Sequence, residues 1–235
     1  MKRLLIFTTL LFCSLLSFAQ FSGTVSDSQG VKYTANNDES TCYVSGHESN
    51  FSATIVIPES YEGRRVTSIG SSAFDAFFDD CSGLTSVTIP NSVTSIGKGA
   101  FYFCTRLASV TIPSSIINIG EKVFMGCTSL SSVIIPNSVS SIGYDAFSGC
   151  SSLSSVVIGS SVTNIDAFAF GNCPLLTNLY CYAEMVPNSS TAFYNSNIKN
   201  TTLHVPSETI GRYGSVRPWN EFKSIVALTE NDPKP

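Results

Sequence analysis

Residues 84–104 read LTSVTIPNSVTSIGKGAFYFC and residues 107–127 read LASVTIPSSIINIGEKVFMGC. Residues 130–150 follow as LSSVIIPNSVSSIGYDAFSGC and residues 153–173 as LSSVVIGSSVTNIDAFAFGNC. Each segment restates the one before it at a step of 23 residues. Cys81, Cys104, Cys127, Cys150 and Cys173 keep that step, as do Leu84, Leu107, Leu130, Leu153 and Leu176. Ile96, Ile119, Ile142 and Ile165 form another column, and Phe101, Phe124, Phe147, Phe170 and Phe193 a fourth. A fixed period of this length is the signature of a stacked repeat, in which no single unit can bury its own apolar side chains.

Within one unit, Leu84, Val87 and Ile89 share one face while Ser86 and Thr88 take the other, the period-two pattern of a strand. Pro90, Pro113 and Pro136 end that strand, because proline has no N–H to continue a ladder. Val93 to Ile96 repeats the alternation and predicts a second short strand. Gly97, Gly120 and Gly143 follow it, with Asp166 in the fourth copy. Gly and Asp share tolerance of the left-handed backbone region, so a sharp corner is expected there. The Ala-Phe-x-x-Cys piece is too short for a full helix and is expected to make one helical or 3₁₀ turn. The expectation is a β-rich, right-handed stack of 23-residue units with two short parallel sheets. About seven turns would make a rod roughly 35 Å long at the strand spacing.

The ends depart from the period. Val31 to Ala35 and Thr41 to Ser45, joined by residues 36–39, read as a β-hairpin cap within residues 20–50. Ile55-Val56-Ile57-Pro58 opens the ladder, a five-residue expansion precedes Val66 to Gly70, and a four-residue insertion follows around Asp75 to Phe78. Leu176, Leu179 and Cys181 continue the apolar columns, whereas Leu203-His204-Val205 has slipped by one residue. Trp219, Phe222, Ile225 and Val226 are expected to close the stack in an irregular C-terminal cap, so the solenoid would span residues 51–228. Thr229 to Pro235 reads as a polar tail.

These units, from Leu84-to-Cys104 through Leu153-to-Cys173, resemble the BspA-like class of leucine-rich repeats over roughly residues 50–228. The Ser-Phe-Ala-Gln end of the N-terminal segment and the Trp219 cap are similar to members from the Bacteroides group. The resemblance implies an extracellular or cell-surface protein that adheres to host matrix proteins, host cells or other bacteria. Bacteroides-type members are exported, and the first 19 residues agree: Lys2 and Arg3, an apolar run from Leu4 to Leu16, then Ser17-Phe18-Ala19 before a cleavage expected ahead of Gln20. That run is shorter than the ~20 residues of a spanning helix, and no second apolar segment of spanning length follows.

Without Lys2 and Arg3, 11 basic side chains face 17 acidic ones, and only 13% of all residues are charged. No row of Lys and Arg is present to displace counterions from phosphates, which argues against nucleic acid as a partner. The eight cysteines of an exported chain raise the question of disulfides. Stacking holds the Cβ vectors of a column parallel, whereas a disulfide needs them to converge, so the ladder cysteines are expected as buried thiols. With no Cys-x-x-Cys and one cysteine per turn, no metal site is expected, and no cofactor motif appears. The cluster Asp75, Asp79 and Asp80 lacks a glycine-centred calcium loop and reads as a solvated loop. His47 is followed by Glu48, but Phe51 stands where a zinc protease would carry its second histidine. His204 alternates with inward Leu203 and Val205 and should point to solvent; neither histidine is expected to be catalytic.

What remains is surface. The outward columns of the main sheet are Ser86, Ser109, Ser132 and Ser155, beside Thr88, Thr111, Ile134 and Val157. The second column turns from hydroxyl to apolar along the rod, and contiguous apolar side chains on an exposed face mark a contact site. The sequence therefore points to a non-enzymatic binding module for a protein or glycan, and the resemblance implies that this partner is on a host or bacterial surface. The alternative is a secreted or periplasmic structural spacer whose repeats set length or self-association.

Overall fold

The computed structural model describes residues 24–38, 40–74 and 83–235. The expected export segment, the cluster Asp75, Asp79 and Asp80, and ladder member Cys81 lie outside the described residues.

Chain order begins with β1 (Thr24–Ser26), β2 (Val31–Ala35) and β3 (Thr41–His47), then β4 (Thr54–Val56), β5 (Ser60–Tyr61) and β6 (Arg64–Ile69). The repeats supply β7 (Ser86–Thr88), β8 (Ser95–Ile96), β9 (Ser109–Thr111), β10 (Asn118–Ile119) and β11 (Ser132–Ile135). After these come β12 (Ser141–Ile142), β13 (Ser155–Ile158), β14 (Asn164–Ile165), β15 (Asn178–Cys181), β16 (Thr202–Val205) and β17 (Ser224–Ala227). Together they form a β-solenoid of about eight turns, about 23 residues apart, with little helix.

The outer row of strands runs β4-β7-β9 and then β11-β13-β15-β16-β17, all parallel. The second row runs β6-β8 and then β10-β12-β14. Ser132 pairs with Ser155 and Ser155 with Asn178, so each apolar column lies on its own copy. Leu179 pairs with Leu203, which is the one-residue slip visible in the sequence. At the front, Thr54 pairs with Ser86, a step longer than one repeat by the expansion and the insertion together. The expansion is itself a hairpin: β5 pairs antiparallel with β6 around Glu62-Gly63, both left-handed (φ 50° and 76°), the two-residue turn that matches strand twist.

The hairpin cap is three-stranded, because β1 adds to β2, and β3 joins the stack by pairing parallel with β6. Val31, Tyr33, Cys42 and Val44 of this cap are fully buried. At the other end Trp219 and Tyr213 are fully buried and Phe222 nearly so, while Val226 is 37% exposed and lies on the outer face instead of closing the core.

The Ala-Phe-x-x-Cys piece forms consecutive turns and builds a third bonded row. The N–H groups of Phe74, Phe101, Phe124, Phe147 and Phe170 donate to carbonyls of Ala100, Val123, Ala146, Ala169 and Ala192 in the next repeat at 2.7–2.9 Å. The phenylalanine rings stack at centroid spacings of 5.2–5.7 Å with at most 15° between planes.

The corner glycines are not left-handed. The positive φ values fall two residues later, at Ser72, Gly99, Lys122, Asp145 and Phe168, and again at Phe103, Gly126, Gly149, Asn172 and Asn195. At Gly97 and Gly143 the requirement is close approach between turns. A Cβ on Gly97 would sit 2.4 Å from the Ser71 nitrogen, and one on Gly143 would sit 2.8 Å from the Gly120 carbonyl carbon. At Gly120 the nearest atom would be 3.5 Å away, an ordinary contact.

Two pairs of substitutions test these facings in denaturant titrations. Gly97→Ala should cost roughly 1–3 kcal/mol by overpacking, whereas Gly120→Ala should be neutral or stabilising by up to about 1 kcal/mol. Phe124→Ala, which empties a fully buried position, should cost ~3–5 kcal/mol. Ser132→Ala, on the exposed face, should stay within about 0.5 kcal/mol. Equal midpoint shifts within either pair would contradict the packing described.

Candidate functional site

The outward columns fall where alternation puts them, with one exception. Thr88, Ser109, Thr111 and Ser132 are exposed, Ser86 and Ser155 are half-buried, and Ile134 is 48% exposed. Val157 is only 2% exposed, although it points away from the core. It pairs with Ile134 on one side and Tyr180 on the other, so a small side chain lies between two longer ones on the same row. Val157 is therefore covered within an apolar ridge. None of the eight is ionisable, and the row is held by hydroxyls: Ser109 Oγ donates to Ser86 Oγ at 3.3 Å.

The outer sheet is divided where these residues meet. Among the described residues no ladder joins β9 to β11, and none joins β8 to β10 in the second sheet. Val110 is only half-buried, whereas its column mates Val87, Val133 and Val156 are buried. A shallow groove of about 240 Å³ opens at this division, lined by Ser109, Val110, Thr111, Ile112, Ser132 and Ile134. Four of the eight sequence-derived positions thus converge on one concavity. Val110 and Ile112, which alternation assigns to the core, are the lining residues the sequence does not signal.

Beyond Val157 the outer face becomes aromatic. Tyr180 and His204 are paired neighbours and stack at 4.3 Å. His204 does not point into open solvent. Its side chain is 16% exposed, and Asp232 from the C-terminal segment lies over it with Nδ1 to Oδ2 at 3.9 Å. Burial pushes its pKa below the usual imidazole value, with the Asp232 carboxylate opposing. His47 is not a surface residue either. It is 8% exposed, its Nδ1 lies 2.9 Å from the Glu48 carbonyl oxygen, and its ring stacks on Phe74 at 5.8 Å. The imidazole caps the phenylalanine column, as Trp219 and Phe222 do edge-on against Phe193 at the other end.

The described ladder cysteines are thiols buried at 0% exposure. Each aims its Sγ at a carbonyl of the preceding repeat: Cys104 at Phe74, Cys127 at Phe101, Cys150 at Phe124 and Cys173 at Phe147, at 2.9–3.5 Å. Burial pushes the Cys173 thiol up to about 12 and the Cys150 thiol well above its usual value. Such thiols are held away from the thiolate that reacts or binds metal. Among the described residues no cluster of three or more His, Cys, Asp or Glu is placed to hold a metal ion.

A larger cleft, about 480 Å³, lies at the C-terminal cap between residues 190–200 and the Pro218–Glu221 segment. Tyr194, Asn195, Asn197, Lys199 and Glu221 are among its walls. The period could not foretell it, because the cap chain that closes it carries no repeat.

A stack of 23-residue turns with two rows of parallel strands and continuous apolar columns defines a leucine-rich-repeat solenoid. The chain belongs to the family of the BspA type leucine-rich repeat region, whose model matches six copies across residues 67–199. A leucine-rich cell surface protein from Faecalibacterium prausnitzii is 35% identical, with a TM-score of 0.60 over 68% of this chain and 39% of that one. The chain thus spans well under half of that protein. The leucine-rich repeat protein of T. pallidum is 25% identical, with a TM-score of 0.62 over 87% of this chain and 83% of that one. The pneumococcal vaccine antigen PcpA shares the fold at 21% identity, with a TM-score of 0.66 over 88% of this chain and 48% of its own. A search of the curated proteins finds no significant match. Among the described residues no helix is long and apolar enough to cross a membrane.

The thiol geometry has a direct check. Cys104, Cys127, Cys150 and Cys173 should resist iodoacetamide in the native protein and be alkylated completely once it is denatured without reductant. Mass spectrometry that finds Cys104 linked to Cys127 would contradict the thiol-to-carbonyl arrangement.

Proposed function

We propose that this protein is an exported, non-enzymatic binding module of the adhesin kind, and that its partner lies across the outer face at the β9–β11 groove. Residues 1–19 act as the export signal in this reading, and the hairpin cap, the solenoid of residues 51–228 and the tail follow in the mature chain. The observation that carries the reading is the groove: Ser109, Thr111, Ser132 and Ile134 surround partly uncovered Val110 at the middle of an uncharged sheet face. Hydroxyls there offer both donors and acceptors, and the apolar floor adds burial. The partner is a protein or glycan on a host or bacterial surface. Family membership and the likeness to a protein described as a cell surface protein support that placement.

The test measures binding of the mature chain to immobilised matrix proteins and mucin glycans, at low and at high salt. Attraction through hydroxyls and apolar area should survive high salt, unlike phosphate- or heparin-driven binding, which salt screens. Replacing Thr111 and Ile134 together by Lys should weaken binding by about tenfold or more, with the circular dichroism spectrum unchanged. Val157 is left in place because it is buried. Undiminished binding by the folded double variant would move the site off this face. A chain that binds none of these surfaces would favour the spacer alternative.

A further inference from the structure

The last turns of the outer face carry Tyr180 and His204 in the column of Thr88, Thr111, Ile134 and Val157, and Tyr182 in the column of Pro136 and Gly159. The chain's own C-terminal segment lies on them. β17 makes its final ladder bond from the Leu228 N–H to the Val205 carbonyl (2.8 Å). The chain then turns: the Thr229 N–H donates to Asp232 Oδ2 at 2.7 Å, and the Asp232 N–H returns to the Thr229 carbonyl at 3.3 Å. That reversal sends Asp232-Pro233-Lys234-Pro235 back across the sheet instead of away from it.

Three separate features of this segment are met by the surface. The Asp232 carboxylate lies beside the His204 ring at 3.9 Å. The Tyr182 hydroxyl donates to the Pro233 carbonyl at 3.0 Å. The Lys234 ammonium sits 5.5 Å from the centre of the Tyr182 ring, within cation–π range. Side-chain exposures of 16% for His204 and 14% for Asp232 show that the pair is well covered. The fit is also incomplete. Both ring nitrogens of His204 are shut off from solvent, and neither has a hydrogen-bond partner among the described residues. A ligand reaching closer than Asp232 does would find an unused donor or acceptor there.

We propose that Tyr180, Tyr182 and His204 form a binding site for short extended peptides in which an acidic residue precedes a proline-bracketed lysine, and that residues 232–235 fill this site as an intramolecular occupant. The chemistry is general. Prolines hold a segment extended at little further entropic cost, and aromatic-lined surfaces take such segments through ring packing and hydrogen bonds to exposed carbonyls. A tethered occupant is present at an effective concentration on the order of millimolar. Contacts too weak to hold a free peptide at ordinary concentration can therefore hold this one, and a better-fitting peptide can displace it. The site lies several strands from the β9–β11 groove and does not depend on the partner proposed for that groove.

The experiment uses the full chain with Asp232→Ala and Lys234→Ala together, which removes two of the three tail contacts and leaves the core and the ladder untouched. The probe is the synthetic heptapeptide Thr-Glu-Asn-Asp-Pro-Lys-Pro, followed by the NMR signals of the His204 and Tyr182 rings. Saturable shifts of both rings at millimolar peptide are expected, at least fivefold weaker for a peptide with Asp and Lys exchanged, and absent after a further Tyr182→Ala change. In the unaltered chain the same peptide should shift these rings only at severalfold higher concentration, because the tail competes. Unmoved ring signals in the tail-weakened chain would overturn the proposal. So would equal binding of the exchanged peptide, or tail relaxation in the unaltered chain as fast as that of the free peptide.

Discussion

Each phenylalanine of the ladder hands its N–H forward to the next turn, and its carbonyl receives a donor back from that turn. Phe124 donates to Ala146 and accepts from the Cys150 thiol; Phe147 donates to Ala169 and accepts from Cys173. This exchange sets the distance between turns, and with it the ring spacing of 5.2–5.7 Å and the register of both strand rows. It also explains the cysteine column. The Phe101, Phe124 and Phe147 carbonyls already accept the N–H of the cysteine three residues on, so the site takes a small apolar group whose one donor meets the carbonyl's second lone pair. Where the column reaches the last turn the residue is Ser196, and its hydroxyl donates to the Phe170 carbonyl in the same way. A column that accepts Ser for Cys while keeping the bond is about donation to a carbonyl, not about thiol reactivity.

The hydroxyl residues follow similar logic. Their abundance reads as surface polarity, yet many of them join turns. Ser138 Oγ donates to the Ile116 carbonyl, Thr128 Oγ1 to Thr105, and Ser154 Oγ and Thr177 Oγ1 to the same relative position one turn back. With so few charges in the chain, these bonds replace the ion pairs of a more ordinary surface, and they are indifferent to salt. Short side chains also lose little rotamer entropy when ordered.

The 23-residue period made the in-or-out facing of almost every repeat position legible, because stacking allows an apolar column no other place. It could not tell which outward positions remain open. Val157 and His204 both face away from the core, as alternation demands, and both are covered: one by its row neighbours, the other by a tail with no periodic counterpart. His47 lay outside the period and was legible only as a surface histidine, yet it supplies the flat ring that ends the phenylalanine column. The glycine corner misled for a different reason. Gly and Asp share a liking for left-handed backbone, but Gly97 is required by a neighbouring turn 2.4 Å from its missing Cβ, which no single repeat can show. The left-handed positions two residues later include Gly99 and Asp145, whose types tolerate the conformation, but also Lys122 and Phe168, whose types do not advertise it.

The division of the sheets lies beside an unbroken phenylalanine column. The repeat of residues 107–129 is laddered backward on the outer row, through β7 and β9, and forward on the second row, through β10 and β12. Its Phe124 segment is bonded on both sides. The phenylalanine side of this turn is bonded continuously, whereas its sheet-bearing side is interrupted. The opening falls between β9 and β11, where it uncovers Val110 beside Ser109, Thr111 and Ser132. A flat parallel sheet offers a partner only its outward side chains, because the strands satisfy one another's backbone groups. A division in the ladder adds depth and an apolar floor, the features on which the proposed binding face rests.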